Sequence, residues 1–331
     1  FILQYTLVNP VYELHRDEFL HLDQANHLAF GYISVPPFTS VISKIIYLLG
    51  GDITIIRFFP ALFGALTIVF TWLIVESIEG SLLSRILASG ALLFSVLVRM
   101  NILYQPNSFD ILAWTIIFYF LIKFVKSEKI KWLYYLAVIV AMGIYNKYNL
   151  AFLIFGLGAG ILLTSGRRIL TSKSFWKALL LLTILILPNL IWQVINQFPV
   201  VQHMRELKAT QLDNNTSMSF LKDQVMFFSG SLLLVAGALV AFICFKPFKQ
   251  YRFIGICFVT VILLFTYLKA KNYYAFGLYP VIIAFGSVYI ENLLTQKWRM
   301  IVVPVLIGIN LAVFILTAKV VYPVLSPAGI R

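Results

Sequence analysis

Charge is scarce in this chain. Only 12% of its 331 residues are Asp, Glu, Lys or Arg, against 61% hydrophobic, whereas a soluble globular chain carries about 25% charged residues. So little charge cannot cover a water-facing surface, which excludes a soluble enzyme, a disordered chain and a repeat solenoid. Cysteine is nearly absent: Cys244 and Cys257 are the only two, both in apolar runs. Neither a disulfide framework nor a cysteine metal knuckle is therefore available. Acids are half as common as bases, 13 Asp plus Glu against 26 Lys plus Arg, for a formal net charge of +13. In a soluble protein that excess would point to nucleic acid. Here it reads first as topology bias and second as attraction for an anionic lipid ligand, with no nucleic-acid partner expected. No internal repeat is visible either.

What the sequence does contain is a succession of apolar runs, the pattern of an all-α polytopic membrane protein. A spanning helix takes about 20 residues. Spans are expected near 54–77, 85–103, 107–125, 132–146, 149–164, 177–195, 224–245, 253–268, 274–294 and 299–318, with a shorter amphipathic helix at 38–49. The opening FILQYTLV stops at Asn9-Pro10 and reads as the end of a first span, with residues 9–53 as a loop and 54–318 as a helical bundle. On this reading 1–331 is a single transmembrane domain and a fragment of a longer chain.

Basic residues in the short loops set the orientation. One set of loops holds Arg85, Lys123, Lys126, Lys129, Lys131, Arg167, Arg168, Lys173, Lys177, Lys246, Lys249, Arg252, Lys297 and Arg299, against Glu76, Glu79, Glu128 and Glu291. This set alternates with every expected span and is taken as cytoplasmic. The outer side then carries the loop 9–37, a loop at 196–223, and links at 101–107, 146–149 and 269–273. Most of the potentially reactive side chains fall there.

In the first outer loop, YELHRDEFLHLDQANHLAFGYISVPPF has helical period from Asp17 to Phe30, with Phe19, Leu22, Ala25 and Ala29 on one apolar face. Such a helix lies in the interface rather than across it. Asp17 and Glu18 stand at its start, where the helix dipole alone would favour acids by about 0.3–1 kcal/mol. Pro36-Pro37 then turn the chain. HRDEFLHL followed by HLAFGYISVPPF resembles the first extracytoplasmic loop of the GT-C glycosyltransferases. The resemblance is closest to the branch around the protein O-mannosyltransferases (glycosyltransferase family 39) and the lipid A aminoarabinose transferases.

That resemblance implies a GT-C-type bundle of about 10–11 transmembrane helices with an interfacial amphipathic helix in the first outer loop. It also implies an integral-membrane, inverting transferase that moves a sugar from a polyprenyl-phosphate donor to an acceptor hydroxyl on a lipid, glycan or protein. Asp17 matches the first acid of the family's catalytic pair and Glu18 the second. Where many relatives have His or Lys before Pro-Pro, this chain has Val35, so a donor-phosphate contact is either missing or supplied elsewhere. The chemistry gives such residues independent sense. A hydroxyl acceptor needs a base to take its proton, and a lipid-phosphate leaving group needs cations rather than an acid.

Further outer positions fit a donor-phosphate site. Asp110, in YQPNSFDILAW, is an acid at membrane depth and a functional candidate by default. Arg99 or Lys147 is its expected partner, and a purely structural ion bridge is the alternative. Relatives carry Lys followed by Tyr-Tyr and a Pro-containing span start, matched here by LKAKNYYAFGLYP. Lys269, Lys271, Tyr273 and Tyr274 are thus candidates, the alternative being an interfacial belt of snorkelling Lys and Tyr. His203, Arg205 and Lys208, in a segment resembling the long outer loop of bacterial relatives, are acceptor-loop candidates or an ordinary solvated face. His15, His21 and His27 lack metal-ligand spacing, and no metal or other cofactor is expected. Some GT-C enzymes use a divalent ion, and Asp17, Glu18 and Asp110 are the acids that could hold one here.

A transporter or lipid flippase, the competing class, would place charges near span centres, but here they crowd at the ends. A non-catalytic scaffold would leave Asp17 replaceable. The expected location is a bacterial inner membrane, with the active site facing the periplasm.

Overall fold

The computed structural model describes residues 1–207, 209–210 and 215–326. The described residues form sixteen α-helices joined by short turns and 3₁₀ segments of three to seven residues. In chain order they are α1 (Ile2–Thr6), α2 (Arg16–Asp23), α3 (Phe38–Leu48), α4 (Ile53–Ser77), α5 (Leu82–Leu93), α6 (Leu97–Met100), α7 (Pro106–Ser127) and α8 (Lys131–Asn146). The series continues with α9 (Leu150–Leu162), α10 (Lys173–Ile195), α11 (Pro199–Leu207), α12 (Ser217–Phe227), α13 (Leu232–Cys244), α14 (Arg252–Tyr267), α15 (Tyr279–Leu293) and α16 (Gln296–Val321). Every expected span finds a helix. Among the described residues six helical stretches are long and apolar enough to cross a membrane, or up to eight when each of two bent pairs counts as one span.

Local chemistry sets the helix ends. Asp52 caps α4 by accepting from the Thr54 and Ile55 amides, a cap worth about 1 kcal/mol. Pro106 opens α7 at its first position, where a missing N–H costs nothing. Glu128 in left-handed conformation, φ 52°, stops the same helix. α5 is capped by Ser81 and closes at Leu93, well short of the expected boundary at 103. The chain there breaks into the single turn of α6 before the polar link to α7. The expected span at 224–245 is bent by 67° at Phe228, between Ser217–Phe227 and Ser229–Cys244, and the one at 149–164 gives way to a 3₁₀ segment, Ser165–Thr171, at 107°.

The bundle is centred on α7 and α15, the spans buried most completely. α7 packs on α4 and α8, α15 on α13, α5 and α4, α14 on α9, and α16 on α5. Lipid tails are as apolar as leucine, so helices in a membrane associate by close packing rather than by hydrophobic expulsion. Gly286 of α15 accordingly meets the Leu234 carbonyl of α13 with no room for a Cβ, and Gly160 of α9 does the same at the Phe253 carbonyl.

The two ends of the bundle differ. At one end Lys126 Nζ pairs with Glu79 Oε1 at 2.9 Å, Arg299 with Glu291 at 3.3 Å, and Ser81 Oγ donates to Glu291 at 2.6 Å, with Ser84 Oγ beside it. These are the charges that the basic-loop count assigns to one side. The other end carries the first loop, the α6–α7 link, the α8–α9 link and the 3₁₀ segment Asn272–Leu278, and there the candidate residues gather.

Candidate functional site

The acidic pair faces two ways. His15 caps α2: its Nδ1 accepts from the Asp17 amide at 3.2 Å, while Glu18 reaches back to the His15 amide at 2.7 Å. Glu18 is fully buried, and its second oxygen accepts from the Tyr104 amide at 2.7 Å. One of its oxygens thus closes the α2 cap, and the other fastens the first loop to the link ahead of α7. Asp17 points the other way, with 40% of its side chain exposed. It accepts from Arg16 Nε at 3.1 Å and from Gln105 Nε2 at 3.2 Å.

The helical reading of this loop needs two corrections. α2 ends at Asp23, and the 3₁₀ turn Gln24–Asn26 ends the helical stretch, where Phe30 was expected. The Tyr32 hydroxyl binds the carbonyls of Gln24 and His27 and the Ala29 amide, holding the chain in a turn. The buried face also differs: Glu18, His21, Leu22 and Ala25 are inside, while Phe19 is 56% exposed. A polar residue takes the core position because two backbone donors satisfy it. His21 is packed edge-on against Tyr104. Burial lowers its pKa to about 4, against the opposing pull of Asp17.

From Asp17 a continuous chain of hydrogen bonds runs inward. Gln105 Oε1 accepts from Asn107 Nδ2 at 2.9 Å, and Asn107 Oδ1 accepts from Lys147 Nζ at 2.8 Å. The Lys147 ammonium lies 5.0 Å from the Tyr273 ring centroid and 4.6 Å from that of Tyr274. Burial pushes its pKa down to about 8; the Asp110 charge opposes that shift and the Lys271 charge adds to it. Asp110 is buried and held from two sides, by Trp114 Nε1 at 3.0 Å and Asn149 Nδ2 at 2.9 Å. Asn149 also donates to the Tyr274 carbonyl at 3.1 Å, tying the α8–α9 link to the Asn272–Leu278 segment. Lys271 feels both Asp17 and Lys147; burial lowers its pKa, with Asp17 acting in the opposite sense.

The structure thus brings Asp17, Asp110, Lys147, Lys271, Tyr273 and Tyr274 to one rim. Lys147 is the cation that Asp110 acts on electrostatically, with no direct ion pair between them. Arg99 has Tyr322 as its electrostatic neighbour and sits beside the chain's last described segment. Lys269 is exposed in left-handed conformation, φ 50°, with its carbonyl accepting from Asn215. His203 and Arg205 lie on α11 with no ion pair among the described residues, and Lys208 is outside those residues. Gln105, Asn107, Asn149 and Trp114 complete the constellation, although sequence reasoning passed over them. The signal for the three amides is their clustering at span ends in a chain that is 61% hydrophobic; Trp114, inside α7, carries none.

The acids do not assemble as a metal-ligand set. Glu18 spends both oxygens on backbone amides and Asp110 both on side-chain N–H groups. Among the described residues no three His, Cys, Asp or Glu converge.

Comparison with known proteins places this arrangement in context. The family described as dolichyl-phosphate-mannose-protein mannosyltransferase matches residues 34–192. Among solved structures, ArnT from Cupriavidus metallidurans bound to undecaprenyl phosphate superposes with a TM-score of 0.71 at 14% identity, over 92% of this chain and 61% of that one. The same protein in its apo state gives 0.69 at 13% identity, over 90% and 59%. The Archaeoglobus fulgidus oligosaccharyltransferase, complexed with zinc and sulfate, gives 0.59 at 10% identity, over 96% and 52%. The chain therefore spans about three fifths of the ArnT length. No curated protein sequence matches it.

Proposed function

We propose that the chain is a GT-C glycosyltransferase that transfers a sugar from a polyprenyl-phosphate donor to an acceptor hydroxyl at the Asp17 rim. The family match over residues 34–192 and the shared fold support it. The observation that carries this reading is the hydrogen-bonded path from a half-exposed carboxylate to a lysine under two tyrosine rings. Its two ends offer the two things the reaction needs. Asp17 takes the acceptor proton as the acceptor oxygen bonds to the anomeric carbon. The bond from that carbon to the donor phosphate oxygen breaks, and Lys147 and Lys271 stabilise the departing lipid phosphate. Gln105 and Asn107 hold the base and the cation at a fixed separation, and such positioning is itself a large part of catalysis. Glu18 is a positioning residue, fixing the start of α2.

The structure of ArnT with undecaprenyl phosphate supports a polyprenyl-phosphate partner for this chain. The excess of basic loops at the far end supports an active site on the outer face of a bacterial inner membrane. The test supplies membranes carrying the protein with a labelled polyprenyl-phosphate sugar. Asp17→Asn should abolish transfer at normal protein level, and Lys271→Ala should raise the apparent donor requirement more than the acceptor requirement. Unchanged transfer by Asp17→Asn refutes the reading.

A further inference from the structure

At the end of the bundle away from Asp17, α9 packs chiefly on α14 and α10 chiefly on α8. The divergence leaves a crevice of about 400 Å³, lined almost wholly by apolar groups, among them Leu136, Leu157, Gly158, Leu170, Phe175 and Leu182. That volume is within the range of small-molecule sites, roughly 300–1,000 Å³. The 3₁₀ segment Ser165–Thr171 bends by 107° from α9 and contributes Ile169 and Leu170 to the wall.

Four exposed cations flank these lining residues in sequence: Arg167 and Arg168 immediately before Ile169, Lys173 two before Phe175, and Lys177 next to Ala178. None forms an ion pair with an acid among the described residues. No acid is near in sequence either, because the chain from Lys129 to Arg205 contains neither Asp nor Glu. Trp176, 58% exposed, donates its indole N–H to the Leu170 carbonyl, and exposed tryptophan at a helix end marks headgroup depth. Charge asymmetry between loops accounts for cations at this end, but not for an apolar crevice whose lining residues they adjoin in the chain.

We propose that this crevice holds one chain of an anionic phospholipid, whose phosphate rests on Arg167, Arg168, Lys173 and Lys177. Because lipid tails and leucine are equally apolar, the tail fits without conferring preference. Selectivity comes from the headgroup charge. This lipid is separate from the sugar donor proposed above, and its binding is read without any transfer assay.

The test is native mass spectrometry of the full chain in detergent with phosphatidylglycerol or phosphatidylcholine of matched tails. Wild type should retain phosphatidylglycerol preferentially. Arg167→Gln with Arg168→Gln should lower that retention about fivefold or more and leave phosphatidylcholine unchanged. A side chain at Gly158 would enter open space, so Gly158→Phe should weaken retention of both lipids by filling the crevice. Gly158→Leu provides the same reading if the larger residue prevents folding. Equal retention of the two lipids by wild type overturns the proposal. So does retention indifferent to either set of substitutions, or a preference for undecaprenyl phosphate that a filled crevice abolishes.

Discussion

Glu18 and Asp17 are adjacent, yet removing their carboxyl groups should have separable consequences. Glu18 is fully buried and accepts from two backbone amides at 2.7 Å, His15 and Tyr104. A buried N–H left without a partner costs about 1–3 kcal/mol. Glu18→Ala orphans both, for about 2–5 kcal/mol, the desolvation of a second, part-buried amide counting for less than the first. Glu18→Gln keeps one acceptor and turns an NH₂ toward the other donor, so about half of that is lost. The readout is local opening by hydrogen exchange of the purified protein, at peptides covering 13–20 and 101–106. A loss of 2 kcal/mol accelerates exchange roughly thirtyfold, since each 1.4 kcal/mol is a factor of ten. Tyr104 should therefore exchange tens of times faster in Glu18→Gln, and faster again in Glu18→Ala. Transfer should fall because α2 no longer holds Asp17 in place. Asp17→Asn should lose transfer with Tyr104 still protected. If Glu18→Gln leaves Tyr104 exchange unchanged, or Asp17→Asn accelerates it equally, the division of roles is wrong.

The pH profile follows from Lys147, whose pKa burial lowers to about 8. If the charged form binds donor phosphate, kcat/KM for the donor should fall as pH rises through about 8. Lys147→Arg, always protonated, should flatten that limb even where it lowers the maximum. The stability sign is opposite: the unfolded chain binds more protons between about 8 and 10.5, so stability should rise with pH across that window, measurable by thermal unfolding. Asp110→Asn removes the negative charge that opposes the Lys147 shift, and should move the alkaline limb to lower pH while cutting kcat/KM about tenfold or more. An unmoved limb would detach Asp110 from Lys147. Gly31 lies against the Trp192 ring with no room for a Cβ, while Asn189 Nδ2 donates to the Phe30 carbonyl at 2.6 Å. Gly31→Ala should lower thermal stability by about 1–3 kcal/mol through overpacking, and Trp192→Leu in the same chain should recover part of it.

Periodicity and charge alternation carried most of the architecture, because membrane burial imposes one rule on every span. The boundaries failed where helices end for tertiary reasons. Leu82–Leu93 stops ten positions early on a local turn, and the bend at Phe228 is signalled only by the Ser-Gly-Ser that follows it, which marks a turn but not its 67° angle. The candidate site was legible in its ionisable members and not in its connections. Asp17, Asp110, Lys147 and Lys271 stand out because charge at a greasy rim is costly. Gln105 and Asn107 carry no charge and resemble ordinary cap residues in sequence. Only the fold shows that they join Asp17 to Lys147. Glu18 is the converse case: an acid beside an acid reads as chemistry, and in the fold both its oxygens accept from backbone amides.

The contrast between the two ends explains why the same residue types serve different purposes. At the far end, Glu291 meets Arg299, Ser81 and Ser84, and Glu79 meets Lys126; acids and donors from different helices neutralise one another directly. Direct pairing fixes helices but leaves those particular side chains, Glu291, Arg299, Glu79 and Lys126, without charge to act on a ligand. At the Asp17 rim two neutral amides stand between the carboxylate and Lys147. Opposite charges kept apart by neutral dipoles do not quench each other and remain able to bind groups of opposite sign. A direct Asp17–Lys147 bridge would trade that capacity for stability. Replacing the spacer Gln105 with Ala, which frees Asp17 from its inner partner, is accordingly the change that alters the site's polarity while leaving every charge in the chain intact.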